Sequence, residues 1–90
     1  MSDSAFKALS DPTRREILRM LGKHEMTVNE IVDQFSMSQP SISRHLSVLR
    51  QAGLVTAQRD GQNVVYALDT TVMQDVVRAV LDLGGGRKKP

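Results

Sequence analysis

A mainly α-helical domain with one small β-hairpin, in the order α-α-α-α-β-β-α, is the fold class this sequence predicts. Three observations lead there. Apolar residues recur at three-and-four spacing in successive stretches up to Leu49 and again beyond Asp69. After Gly53 the pattern changes to two β-rich runs, LVTAQR and QNVVYAL, around Asp60-Gly61, a strong short hairpin signal. Capping residues open the helical stretches, and glycine or a polar break closes them.

Ala5, Phe6 and Leu9 suggest a short first helix from about Ser4, closed near Ser10. Asp11 then Pro12 starts the second: the carboxylate can accept from open backbone N–H groups, and proline's fixed φ suits the first helical position. Its stripe is Ile17, Leu18 and Leu21, and Gly22 ends it. Thr27-Val28-Asn29-Glu30 fits a capping box, so a third helix is expected from Val28 to about Phe35, burying Ile31, Val32 and Phe35. After a break at Ser36 and Met37, Ser38 caps a fourth helix with Pro40 in its first turn. That helix should stop before Gly53. Beyond the hairpin, Thr71 to Gln74 reads as another capping box, opening a last helix that Gly84 to Gly86 stop. A tight helix pair directly before a hairpin is the order of a winged helix-turn-helix. Residues 1–83 then form one domain without internal repeats, and residues 84–90 a flexible basic tail.

The fourth helix raises a specific question, because the twelve residues SMSQPSISRHLS hold five serines. Serine competes with the helix for backbone hydrogen bonds, so a cluster of serines needs another reason. Wound at 100° per residue, Ile42, Leu46 and Leu49 gather on one side, while Pro40, Arg44, Ser47 and Gln51 point the opposite way and Ser41 and Ser43 flank them. Short hydroxyls permit close approach to a polar surface, and an arginine can take a guanine edge bidentately. Such a face suits a DNA major groove.

Bulk charge decides little. The formal charge is +2, but Arg87, Lys88 and Lys89 supply three of the twelve basic residues, leaving residues 1–86 with nine basic against ten acidic groups. Distribution is more telling: the 26 residues between Asp33 and Asp60 hold Arg44, Arg50, Arg59 and His45 and no acid. The chain has no cysteine, which removes disulfides, thiolate metal sites and cysteine nucleophiles. No apolar run reaches the roughly 18 residues of a membrane span, so a soluble, cytoplasmic chain without membrane insertion is expected.

The stretches ALSDPTRREIL, MTVNEIVDQFSMSQPSISRHLSVLRQAGLV and RDGQNVVYAL resemble the ArsR family of winged-helix repressors, and LDTTVMQD is similar to that family's autorepressor branch. The resemblance covers residues 5 to 83. It implies a homodimer, its first and last helices pairing across a two-fold axis, that binds double-stranded DNA at a palindromic operator. Family DNA contacts map onto Gln39, Ser41, Ser43 and Arg44, with His45 and Ser47 beside them, and the wing tip from Arg59 through Gln62 and Asn63 would meet the minor groove or backbone. Asp60, Gln62 and Asn63 stand where more arginines are usual, which implies weak wing binding. The expected dimer surface is Phe6 and Leu9 with Val72, Met73, Val76, Val77, Val80 and Leu81, a stripe broad enough for both the core and a partner. Relatives in the autorepressor branch also leave room for a protein partner that relieves repression.

Other chemistry finds little support. Metal-sensing relatives use thiolates, or paired Asp and His on the last helix; here that helix has Asp75 and Asp82 and no histidine, so neither metal nor cofactor is expected. His24 and His45 lie on different segments, and no glycine-rich oxyanion loop accompanies them, so no catalytic site is assigned. Arg14 and Arg15 read as solvated or paired rather than phosphate-bound. The alternative from another class is a winged-helix module that docks a protein without specific DNA binding.

Overall fold

The computed structural model describes residues 3–84 and has the winged helix-turn-helix order. Helices α1 (Asp3–Ala8) and α2 (Pro12–Leu21) lead to a two-residue strand β1 (Met26–Thr27), then α3 (Val28–Val32), α4 (Gln39–Gln51), the hairpin strands β2 (Val55–Asp60) and β3 (Asn63–Leu68), and α5 (Thr70–Leu83). The three strands form an antiparallel sheet in the order β1-β3-β2. The proposed tail lies outside the described residues apart from Gly84. Among the described residues, no helix is long and apolar enough to cross a membrane.

The core is built from one stripe of each helix. Ile17 of α2, Ile31 of α3, and Ile42, Leu46 and Leu49 of α4 are wholly buried together with Leu54. Small residues let α1 come close: Ala5 and Ala8 are also fully covered. No charged or polar side chain is buried among the described residues, so the interior is held by apolar burial alone.

Local chemistry sets the junctions. Asp11 Oδ2 accepts the Arg14 N–H at 3.1 Å, with Pro12 in the first turn of α2. Thr27 and Glu30 form the expected capping box, Glu30 Oε1 accepting the Thr27 N–H at 2.8 Å. Gly53, at φ +78°, closes α4: the Leu54 N–H donates to Leu49 O and the Gly53 N–H to Arg50 O, each at 3.0 Å, the paired bonds of a left-handed helix end.

Four details differ from expectation. Helix α3 stops at Val32 rather than Phe35, because Gln34 and Phe35 donate to carbonyls three residues back and tighten the chain into the corner before α4. Helix α5 is capped by Asp69, whose Oδ1 accepts the Thr71 N–H at 3.0 Å, and not by a Thr71 box. The hairpin turn is Gly61-Gln62, because Asp60 still pairs with Asn63; Gly61, at φ +65°, takes the position that needs glycine. Strand β1 was not anticipated, two residues being too short for any alternation to register.

Candidate nucleic-acid interface

The burial of Ile42, Leu46 and Leu49 fixes the roll of α4. Its opposite side presents Gln39, Pro40, Ser43, Arg44, Ser47 and Gln51 to solvent. Ser41 stands apart from the other serines: it is half-buried, its hydroxyl accepting from Ser38 Oγ at 3.0 Å while its N–H donates to the same Ser38 oxygen at 3.3 Å. It shapes the first turn rather than standing clear of it.

His45, expected beside the DNA contacts, packs at the rim of the buried face. Its ring turns back onto the start of α2, with its side chain 18% exposed. Nδ1 lies 3.3 Å from Arg14 Nη1 and 3.8 Å from Asp11 Oδ2. Burial acts to raise the pKa of Asp11, but the Arg14 backbone N–H, the His45 and Arg14 charges and the Thr13 N–H outweigh it and hold the carboxyl below its ordinary value. Arg14 and Arg15 are indeed paired, to the carbonyls that end α1: Arg14 Nε donates to Ala8 O at 2.7 Å and Arg15 Nη1 to Leu9 O at 2.9 Å. Thr13 Oγ1 reaches Met37 Sδ at 3.9 Å, so the first turn of α2 also steadies the corner leading into α4.

On the wing, Arg59, Gln62 and Asn63 are exposed. Gln62 and Asn63 meet Gln39 across a shallow cleft of about 220 Å³ that Thr27 and Asn29 also line. Sequence reasoning missed Asn29, whose only signal was its place in the capping box. Arg59 does not line this cleft.

The expected dimer residues divide in two. Val76 is buried, and Leu9, Val72 and Met73 are half-buried against the chain's own core. Phe6 and, at 50 to 65% exposure, Val77, Val80 and Leu81 stay uncovered, joined by Leu83.

A family model for bacterial regulatory proteins of the arsR family matches residues 11–57, from the cap of α2 through α4 into the first residues of β2. This chain belongs to the arsR family. The transcriptional repressor SdpR of Bacillus subtilis is 46% identical over 80 residues, which cover 89% of each chain. KmtR, an HTH-type transcriptional regulator of Mycobacterium tuberculosis, is 42% identical over 86% of this chain and 60% of its own length. Among solved structures, an ArsR-like transcriptional regulator from Rhodococcus sp. RHA1 superposes with a TM-score of 0.84 at 30% identity, covering 91% of this chain and 75% of that one. HlyU from Vibrio cholerae does so at 0.74 and 32% identity, over 89% and 87%. The arsR chain described here is therefore a DNA-binding transcriptional regulator, and its relatives are regulators rather than enzymes.

Proposed function

We propose that this regulator is a homodimeric repressor that reads an inverted-repeat operator, inserting α4 of each protomer into the major groove. The observation that carries the reading is the complete burial of Ile42, Leu46 and Leu49, which leaves Gln39, Ser43, Arg44 and Ser47 as a continuous outward face in a window without acids. Arg44 is the group suited to a guanine edge, and the serines allow close approach. The uncovered apolar row of α5, with Phe6 of α1, supports pairing of two protomers, and two-fold symmetry sets half-sites roughly 34 Å apart or a multiple of it. The chain has no thiolate and α5 no histidine, so neither ligand set of the metal-sensing relatives is present in it. Relief of repression is assigned instead to a protein partner.

The test uses a duplex recovered by selecting bound fragments from genomic DNA. In gel shifts Arg44→Ala should weaken binding by about 5- to 150-fold, the worth of one bidentate base contact, and should lessen the preference over a scrambled duplex. Unchanged affinity for both duplexes would overturn the assignment.

A further inference from the structure

We infer that the cleft between the wing and the start of α4 is an uncharged phosphate clamp, in which the carboxamides of Asn29, Gln39, Gln62 and Asn63 hold one phosphodiester of the operator. The inference rests on the reading of α4 as the DNA-reading helix. Three elements that are distant in sequence converge here: Asn29 from the first turn of α3, Gln39 as the first residue of α4, and from the hairpin Gln62 of its turn with Asn63 at the start of β3. The cleft's volume, about 220 Å³, exceeds the roughly 30 Å³ share of a water several-fold, so a phosphate group and some of its water fit.

The chemistry points to an acceptor-rich, negatively charged guest. Each carboxamide brings two N–H donors, and Thr27 adds a hydroxyl, whereas a phosphodiester only accepts. No carboxylate lines the cleft. Glu30, the acid nearest Asn29 in sequence, is turned to the Thr27 N–H and lines a separate cleft with Met20 and Lys23. Asp60 pairs with Asn63 across the hairpin but does not line the cleft. Gln39 also opens a 13-residue helix, whose N-terminal end carries partial positive charge. A helix seated in a groove has sugar-phosphate strands beside it, and this cleft lies at the first residue of α4, where that helix meets the wing.

The clamp accounts for a wing that carries amides where arginines are usual. Neutral donors hold a phosphate without displacing condensed counterions, so their share of the affinity does not fall with salt as an arginine's does.

The experiment measures binding of the full chain to the selected duplex and to a scrambled one by fluorescence anisotropy across a series of salt concentrations. Asn29 is exposed and alanine favours helix, so Asn29→Ala should fold. It should weaken both duplexes alike by about 5- to 10-fold, leaving the slope of log Kd against log salt unchanged. Asn29→Lys should bind more tightly at low salt, with a slope steeper by about one. Three results would overturn the clamp: wild-type affinity in Asn29→Ala, a loss confined to the selected duplex, or a flattened slope. If Arg44→Ala is impaired while Asn29→Ala is not, only the clamp fails; if the wild-type chain selects no duplex, the function fails and the clamp with it.

Discussion

The Arg14 guanidinium joins three helices at once. Nε and Nη2 donate to Ala8 O and Lys7 O at 2.7 and 3.2 Å, and Nη1 reaches His45 Nδ1 at 3.3 Å. A helix of six residues cannot sustain itself in water, so α1 depends on having its last carbonyls satisfied from outside. Lysine, with one point charge, cannot reproduce the fork. Arg14→Ala should therefore cost about 1–3 kcal/mol in urea denaturation, and Arg14→Lys should recover only part of it. Asp11 beside it predicts a pH dependence. Its folded pKa is depressed, so its contribution to stability is present above the unfolded pKa and is lost as pH falls through the folded one. Urea midpoints followed from neutral to acid pH should show a steeper decline for wild type than for Asp11→Asn; parallel declines would contradict this. The sequence left the two arginines solvated or paired and named no partner, since those carbonyls come within reach only once α1 folds back on α2. The partners of His45 were hidden for the same reason: periodicity gives a residue's angle on its own helix, not which neighbouring helix its ring will meet.

Gly53 governs how α4 hands over to the wing and to α5. Its φ of +78° is one that side chains rarely adopt, and a Cβ there would stand 2.9 Å from Val72 Cγ2. The Asp69 N–H also donates to Leu54 O at 3.0 Å, so the start of α5 is pinned to this same turn. Gly61 has a similar φ of +65° but open space around it. Gly53→Ala should thus cost about 2–3 kcal/mol, strain and clash together, against about 1 kcal/mol for Gly61→Ala. Val72→Ala should relieve part of the first and none of the second, with chemical denaturation midpoints as the check. At this scale the sequence was informative wherever a signal was local. The caps at Asp11, Thr27 and Ser38, the hairpin and the buried triad of α4 all rest on neighbouring residues. It failed at the end of α3, where tight turns replace helix, and at β1, which exists only because Met26 and Thr27 meet Tyr66 and Val65 of β3.

A domain of about 90 residues leaves a large share of its apolar surface uncovered, and here much of that share is concentrated on α5. The breadth of the α5 stripe was visible in the spacing of its valines. Which of them turn inward was not, because that depends on Gly53 and the core behind Val72 and Val76. Val77, Val80 and Leu81 are exposed and belong to the proposed dimer interface, so the double variant Val77→Asp with Leu81→Asp should sediment as a monomer and lose at least about tenfold in operator affinity, its far-UV spectrum unchanged. A variant that remained dimeric would contradict the assigned interface. The most direct test of the central claim, that the outward side of α4 reads DNA, is a titration of 15N-labelled protein with the selected duplex. The account predicts amide shifts concentrated at Gln39, Ser43, Arg44 and Ser47, with Gln62 and Asn63 following and the end of α2 and the turn after it, at Arg19 and Lys23, silent. Shifts centred on α2 or α5 while Arg44 and its neighbours stay still would contradict it.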